Sequence, residues 1–424
     1  YFDAARAVRM AHAPGRLDVM GGIADYSGSL VLQWPIRAEA MAAVAWTSET
    51  PRMVVIRTTD PAAARGVALV QWPLEALLGD YGAVRTRLSR DPDAHWAAYV
   101  AGAVTVLHHE LGTRFERGVR WLVASDVPAG KGVSSSAAIE VAAMRALADL
   151  LGLSIGNRDL ALLCQKVENV VVGAPCGVMD QMTAACGVPG ALLAIACQPA
   201  ELVPPVALPD NVVFTGVDSG IRHAVTGTDY GSVRAGAFMG YRVIADLAGL
   251  RTTTEGDRIR VEDPRWHGYL ANVTPAEWES RFRDRVPEQM TGAGFLDLYG
   301  GTTDGLTTID RARDYAVRVP TAHPIYEHDR VQRFRAILET ERSGGMLSDD
   351  ALVRLGELMY ASHASYSACG LGSEGTDALV ALVREAGPAR GLFGAKITGG
   401  GSGGTVAVLG RPHGRRALED IARH

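Results

Sequence analysis

Residues 119–151 read VRWLVASDVPAGKGVSSSAAIEVAAMRALADLL and contain the pattern that decides the fold. The apolar residues 119–127 predict a strand, and the alanine- and leucine-rich residues 137–151 predict a helix. Between them, residues 128–136 supply two glycines, one lysine and three serines. A glycine-rich loop at a helix N-terminus offers free backbone N–H groups to an anion, although serines there are also ordinary helix caps. Ser125 stands where GxxxxGK[ST] needs its first glycine, which disfavours the P-loop NTPases.

Composition and charge exclude several classes of protein. The 424 residues are 47% hydrophobic and 21% charged, as is typical of a globular chain of about two or three domains. The 42 Lys and Arg against 47 Asp and Glu give a net charge of −5, and no basic run predicts a nucleic-acid surface. The five cysteines lack CxxC spacing, so we expect reduced thiols in a cytoplasmic protein. We also expect no membrane span and no secretory leader.

Apolar patterns along the rest of the chain predict both strands and helices. Residues 8–48 alternate short apolar runs with turns, which favours strands, whereas residues 158–172 repeat apolar positions at helical spacing. Later segments predict a buried strand at 211–217, an exposed helical insertion at 251–290, helices over 350–387 and two strands joined by glycines over 391–410. The run VPPVALP places a domain boundary near residue 210.

Two further glycine-rich segments each allow a structural and a functional interpretation. GGGSGG at 399–404 contains GxGxxG, but a strand-like segment follows it, so a dinucleotide site is disfavoured. It is either a tight hairpin or a place where a ligand approaches the backbone. Residues 13–28, APGRLDVMGGIADYSG, place Arg16 and Asp25 between glycines. Arg binds phosphate and Asp binds sugar hydroxyls, while a surface turn with an ion pair is the alternative.

Taken in this order and spacing, the three loops resemble the GHMP kinase superfamily, which phosphorylates small molecules with ATP and Mg²⁺. GAPCGVMDQ at 173–181 is similar to the galactokinase branch. Within that branch, PGRLDVMGGIADYSGSLVLQ, DSGIRHAVTGTDYGSVRAGAFMG and YSACGLGSEGTDALV most closely resemble the L-arabinokinases. The resemblance spans residues 8–410. It implies an α+β, two-lobed fold with an N-terminal domain over 1–210, a C-terminal domain over 211–424 and an active site in the cleft between them.

The resemblance also implies which residues form the site. Asp180 faces the anomeric hydroxyl of a sugar, and Arg16 is its cationic partner near the transferred phosphoryl group. Ser136, with Ser135 as the neighbouring possibility, and Glu168 match the magnesium ligands. The implied nucleotide-binding residues are Pro128, Gly130, Lys131, Gly132, Val133, Ser134, Ser135, Ser136, Trp96, Tyr99, Gly400 and Gly401. The implied sugar-binding residues are Gly22, Ile23, Asp25, Tyr26, Asp180, Asp218 and Tyr230.

One departure from the galactokinase pattern bears on the substrate. Galactokinases generally carry Glu-His where this chain has Gly22-Ile23, at the end of the sugar that bears the C6 hydroxymethyl group. L-arabinopyranose shares the ring stereochemistry of galactose but lacks that group, so the loss of two polar side chains favours a pentose and disfavours a uronic acid. We therefore expect an L-arabinose 1-kinase. A kinase of D-galactose or another galacto-configured sugar, and a sugar- and ATP-binding sensor with little turnover, are the alternatives.

Overall fold

The computed structural model describes residues 1–3, 6–60, 66–221, 227–256, 258–341 and 345–423, which form a mixed α/β structure. Its strands are β1 (Arg9–Met20), β2 (Leu30–Trp46), β3 (Met53–Thr58), β4 (Leu69–Pro73), β5 (Val119–Ser125), β6 (Ala191–Ala196), β7 (Glu201–Ala207), β8 (Val213–Asp218), β9 (Thr252–Glu255), β10 (Arg258–Val261), β11 (Gln289–Thr291), β12 (Asp314–Ala316), β13 (Leu392–Ile397) and β14 (Thr405–Gly410). Its α-helices are α1 (Tyr81–Leu88), α2 (Ala98–Leu111), α3 (Ser135–Leu151), α4 (Asn157–Lys166), α5 (Met179–Cys186), α6 (Gly227–Leu247), α7 (Pro275–Glu277), α8 (Gly292–Tyr299), α9 (Arg318–Thr340), α10 (Asp349–Ala368), α11 (Glu374–Ala386) and α12 (Arg415–Arg423). None of the helices formed by these residues has the length and apolar character needed to cross a membrane.

The first of two compact units comprises Tyr1–Arg16, Pro35–Ala129 and Val133–Pro189. Its strands follow the order β4-β3-β5-β2, with β3 and β5 parallel and the other pairs antiparallel. Helix α3 packs against α2, α4 and α5. Its buried face is mostly alanine, whose small side chain lets neighbouring helices approach closely. This arrangement fixes the N-terminus of α3, where the anion-binding loop was predicted.

The second unit comprises Leu17–Trp34, Gly130–Gly132 and Gly190–His424. Strands β13, β14 and β8 form one antiparallel sheet, and β6 pairs with β7 and with the first residues of β2. Helix α10 packs so closely on β13 that a Cβ atom added at Gly356 would lie 1.8 Å from the carbonyl oxygen of Phe393. Glycine at this position therefore allows the helix to pack on the sheet. Each of the two compact units is built from three separate segments of the chain, so they do not correspond to the residues before and after 210. The domain boundary near residue 210 therefore stays a prediction.

Several elements expected from the sequence are present. Strand β5 and helix α3 flank the glycine-rich loop, and β13 and β14 pair on either side of residues 399–404. The predicted helix over 158–172 is also present, but its last turn, Val167–Val172, is a π-helix. The strand expected at 211–217 is present as β8, but the expectation that it is buried was wrong, because only Phe214 and Val217 are buried and three of its six residues are exposed.

The expectation of a helical insertion at 251–290 was also wrong, although most of its described residues are exposed, as expected. The segment begins with the β9–β10 hairpin and continues with turns and helical segments of three to five residues. Trp266, Trp278 and Phe282 are each 1% exposed and belong to an apolar cluster that includes residues of α6, α8 and α9. The segment was predicted from its polar composition, which gave too little weight to these widely spaced aromatic residues. Their burial anchors the segment to an apolar core.

Candidate active site

Arg16 and Asp180 form an ion pair within the first unit. Arg16 Nε and Nη2 donate to Asp180 Oδ1 at 2.9 and 2.7 Å. The arginine side chain is 3% exposed, whereas 23% of the aspartate side chain is exposed. A buried guanidinium therefore holds a carboxylate that a ligand can still reach.

The position of Asp180 in its helix excludes a purely structural role as a helix cap. Helix α5 begins at Met179 and its N-cap is Val178, so Asp180 is the second helical residue. Its carboxylate is bound by Arg16, and no side chain caps this helix. Asp180 is therefore not the N-cap of this helix.

A cluster of buried oxygen atoms adjoins this pair in the same unit. Ser136 Oγ donates to Glu168 Oε1 at 3.3 Å. Gln181 Nε2 donates to both Glu168 Oε2, at 2.6 Å, and Glu140 Oε2, at 3.0 Å. Glu140 Oε1 and Gln181 Oε1 are buried and lack a hydrogen-bond partner. Such unpaired oxygens are costly unless a donor or a cation satisfies them.

The negative charges of these neighbouring carboxylates repel one another. Burial, followed by the negative charge of Asp180, raises the pKa of Glu168 to about 7. Burial, followed by the charge of Glu168, raises the pKa of Glu140 well above its ordinary value. A cation beside Glu168 would favour its charged form. The described residues contain no group of three His, Cys, Asp or Glu arranged to hold a metal alone. A single carboxylate with a hydroxyl nevertheless fits Mg²⁺, which keeps waters and phosphate oxygens as its other ligands.

Ser134 adopts an unusual backbone conformation immediately before α3. Its φ of 61° lies in the left-handed region, which costs a residue with a side chain about 1–2 kcal/mol. Its hydroxyl is buried without a hydrogen-bond partner and does not cap the helix. The alternative of an ordinary serine cap is therefore excluded for Ser134, and its hydroxyl lies without a hydrogen-bond partner at a helix N-terminus, where an anion binds favourably.

The aromatic residues predicted to lie near the nucleotide base share a pocket with this loop. Trp96 and Tyr99 line a pocket of about 350 Å³ together with Pro128, Ser135 and Ser136. Trp96 Nε1 donates to the carbonyl oxygen of Val67 at 3.1 Å, which fixes the indole ring. The pocket thus combines aromatic faces with the start of α3.

In the second unit, Lys131 is paired with a residue predicted near the sugar. This lysine belongs to residues 128–136, here termed the phosphate loop. Lys131 Nζ lies 2.9 Å from the Asp218 carboxylate. Glycine loop 399–404 packs against the same segment, since a Cβ atom added at Gly404 would lie 2.6 Å from the Lys131 carbonyl oxygen. Gly401 has a φ of +84°, and its added Cβ would lie 2.6 Å from Leu371, whereas Gly400 is partly exposed.

Residues 21–27, here termed the sugar loop, contain several predicted sugar-binding residues. Asp25 is 4% exposed, and its Oδ1 accepts the backbone N–H of Tyr26 at 2.6 Å. The rings of Tyr26 and Tyr230 meet edge to face, with centroids 5.9 Å apart. These three predicted residues therefore lie together. Residues 222–226 of the motif that contains Tyr230 lie outside the described part of the chain.

Gly22 and Ile23 are more constrained than the sequence indicated. A Cβ atom added at Gly22 would lie 1.5 Å from the Tyr366 hydroxyl oxygen and 2.7 Å from Asp18 Oδ2. Ile23 is 1% exposed and packs in an apolar cluster with Tyr366, against which Tyr230 also packs. The structure thus explains glycine at position 22 by the lack of space for a side chain, and isoleucine at position 23 by its packing in the apolar cluster. The contact of these two residues with a sugar stays a prediction.

Sequence reasoning missed two buried ion pairs of the second unit. Lys396 Nζ and Asp18 Oδ2 lie 2.5 Å apart, and both side chains are 0% exposed. Arg234 donates to both carboxylate oxygens of Asp304 at 2.8 and 2.9 Å, with its guanidinium 5.2 Å from the centroid of the Tyr26 ring. The position of Lys396 just before the glycine loop could have marked it as a candidate site residue. Its partner Asp18 could not be identified from the sequence, because it is 378 residues away.

Comparison with known proteins agrees with this geometry. The GHMP kinases N terminal domain matches residues 98–188, and the GHMP kinases C terminal domain matches residues 349–424. An L-arabinokinase of Arabidopsis thaliana is 46% identical over 97% of this chain, which spans 43% of that relative's length. A galactokinase of Chloroflexus aurantiacus is 29% identical over 96% of this chain and 85% of its own.

The solved structure of Lactococcus lactis galactokinase complexed with galactose shares the fold. It superimposes with a TM-score of 0.71 at 21% identity, over 98% of this chain and 88% of its own. The resemblance stated from the sequence motifs is therefore confirmed. The chain belongs to the GHMP kinases and carries both the N-terminal and the C-terminal domain of that family.

Proposed function

We propose that this chain is an ATP-dependent sugar 1-kinase that converts L-arabinose to L-arabinose 1-phosphate and ADP. The buried Arg16 that holds the accessible Asp180 carboxylate is the observation that carries the proposal. The 46% identity to an L-arabinokinase supports the choice of sugar.

Asp180 acts on the anomeric hydroxyl of the sugar. Arg16 binds its carboxylate through Oδ1 and fixes its position. Asp180 then removes the proton or accepts a hydrogen bond from it, as the hydroxyl oxygen attacks the γ-phosphoryl group. In both cases the chain accelerates the reaction by positioning and by electrostatic stabilisation.

ATP is the phosphoryl donor in this proposal. Trp96 and Tyr99 contact the base, while Pro128, Gly130, Lys131, Gly132, Val133, Ser134, Ser135, Ser136, Gly400 and Gly401 surround the phosphates. The unpaired hydroxyl of Ser134 and the uncapped N-terminus of α3 support this assignment. Ser136 and Glu168 would hold Mg²⁺, which would neutralise charge on the phosphates.

The residues that bind the sugar in this proposal are Gly22, Ile23, Asp25, Tyr26, Asp218 and Tyr230, together with Asp180. Glycine at position 22 carries no polar side chain that could bind a C6 hydroxyl group, and the Tyr366 hydroxyl occupies the space that such a side chain would need. Asp304 neutralises Arg234, so this arginine supplies no net charge for the carboxylate of a uronic acid.

We further propose a cytoplasmic protein that binds no nucleic acid and no membrane. None of the five cysteines forms a disulfide, which supports a reducing compartment. We also keep residue 210 as the boundary between the N-terminal and C-terminal sequence domains.

The test is ADP release with MgATP and L-arabinose, D-galactose, D-galacturonate, D-glucose or no sugar, with kcat/KM determined for each. We expect L-arabinose to give the highest kcat/KM. A preference for D-galactose would support the proposed sugar 1-kinase reaction but would show that L-arabinose is not the preferred substrate. Binding of sugar and ATP without sugar-dependent ADP release would instead identify a sensor.

A further inference from the structure

Three consecutive backbone N–H groups of the sugar loop are bound by buried side chains of the second unit. Gly21 donates to Glu327 Oε1 at 3.1 Å, and Gly22 donates to Asp18 Oδ1 at 3.0 Å. Ile23 donates to the Tyr366 hydroxyl oxygen at 2.8 Å. Because consecutive amides are fixed, the conformation of this loop depends on these three side chains.

Tyr366 also binds the glycine loop 399–404. Its hydroxyl donates to the carbonyl oxygen of Gly399 at 3.0 Å, and its side chain is 0% exposed. A hydroxyl has one proton, which here goes to Gly399, so the same oxygen accepts the N–H of Ile23. One atom therefore connects the sugar loop with the glycine loop.

The glycine loop in turn contacts the glycine segment of the phosphate loop. Added Cβ atoms would lie 2.6 Å from the Lys131 carbonyl oxygen at Gly404 and 3.1 Å from the Thr398 carbonyl oxygen at Gly132. The two backbones touch because these residues lack side chains. A continuous series of contacts within the second unit thus runs from Ile23 through Tyr366 to Lys131.

A second connection runs parallel to this one. Lys396 Nζ binds Asp18 Oδ2 at 2.5 Å and donates to the Ile397 carbonyl oxygen at 2.8 Å. The Thr398 hydroxyl oxygen accepts the N–H of Asp18 at 2.6 Å. Asp18 binds the sugar loop through Gly22, so this connection joins the sugar loop to the end of β13 and supports the first one.

We propose that Tyr366 is a positioning residue that couples nucleotide binding to sugar binding. A nucleotide that orders the phosphate and glycine loops also fixes Gly399, and the Tyr366 hydroxyl transmits this order to the amide of Ile23. Each ligand then raises the affinity for the other, because the second ligand meets a loop that is already ordered. The inference rests on the proposed function for the identity of the two ligands.

The first test is Tyr366→Phe, which removes only the hydroxyl. Calorimetry measures the Kd of L-arabinose with and without a non-hydrolysable ATP analogue. We expect the analogue to lower the Kd at least about fivefold in the unmodified chain and less than about twofold in the variant. The Kd values of both ligands should rise, because Ile23 and Gly399 lose their partner. An unchanged coupling ratio, or a weaker affinity for one ligand alone, would overturn the proposal.

Tyr360→Phe is the matched control. Tyr360 lies on the same helix, α10, and its ring packs against the guanidinium of Arg384. This substitution removes a hydroxyl outside the described connection. The coupling ratio should therefore equal that of the unmodified chain, and a similar loss of coupling would assign the effect to the helix as a whole.

The second test needs no variant and applies if Tyr366→Phe fails to fold. Hydrogen exchange of the unmodified chain is measured with the ATP analogue alone. We expect slower exchange at the amides of residues 21–23, and unchanged exchange there with a bound nucleotide would overturn the coupling. If the nucleotide slows exchange but L-arabinose does not bind, the proposed substrate fails and the coupling stands.

Discussion

Arg16 places two nitrogen atoms within 2.9 Å of a single oxygen of Asp180, and only the aspartate is appreciably exposed. The carboxylate is thus fixed from the protein side. We expect Asp180→Asn to retain ATP binding and to lower kcat by at least about 100-fold, because the amide neither takes a proton nor attracts one as strongly.

Sugar-dependent ADP release and equilibrium binding of ATP check this prediction together. Asp149→Asn, at an exposed position of α3 in the same unit, is the control and should leave both unchanged. Undiminished turnover in Asp180→Asn would remove this carboxylate from the mechanism.

Ser135 and Ser136 are adjacent residues of α3, but only Ser136 is hydrogen-bonded to Glu168. We expect Ser136→Ala to raise the Mg²⁺ concentration needed for half-maximal activity by about 10-fold or more, since one oxygen ligand is lost. Ser135→Ala should leave this concentration near its original value. Titration of activity with Mg²⁺ at saturating ATP measures both, and the reverse order would make Ser135 the ligand.

Asp304 supplies the counter-charge of the buried Arg234. We expect Asp304→Asn to lower the free energy of unfolding by about 3–5 kcal/mol, because it leaves a buried charge without its partner. Asp297 pairs with Arg311 at the surface, and Asp297→Asn should cost less than about 1 kcal/mol. Urea unfolding of both variants provides the comparison. Equal losses would show that burial of the Arg234 pair adds nothing.

His323 makes stability depend on pH in the acid range. Burial is the largest cause that lowers its pKa from 6.5 to about 4. The unfolded chain therefore binds this proton more tightly, so the contribution to stability is complete above pH 6.5 and decreases as the pH falls toward 4. At pH 5 the loss relative to neutral pH is about 2 kcal/mol.

Urea unfolding at pH 7 and pH 5 tests this sign. In His323→Gln, the decrease between the two pH values should be smaller than in the unmodified chain by that amount. An equal decrease in both proteins would show that His323 is not protonated on unfolding.

Local sequence pattern was sufficient where propensity and periodicity agreed. The alanine-rich run of α3 and the paired strands around the glycine loop are examples, because each is formed by residues close in the chain. The π-helical turn that carries Glu168 could not be predicted, since it has the same composition as an α-helical turn and differs only in hydrogen bonding. Such turns are frequent at functional sites.

The other features that the sequence did not predict depend on contacts between residues that are distant in the chain. Gly22 was interpreted as the loss of a polar side chain near the sugar, and nothing in the sequence indicated that the hydroxyl of Tyr366, 344 residues later in the chain, occupies the space of a side chain at this position. The ion pair of Asp18 and Lys396 joins the two ends of the sequence in the same way. The residue pattern of one segment does not indicate which distant segment it will contact in the fold.

The left-handed backbone of Ser134 has a consequence for how this chain can change. Glycine at this position would relieve about 1 kcal/mol of strain, but it would also remove the buried hydroxyl. Selection of variants for heat resistance would therefore favour glycine at position 134, whereas selection for growth on the sugar would retain serine. A thermostable variant that also retains the proposed activity therefore has to gain its stability at other positions.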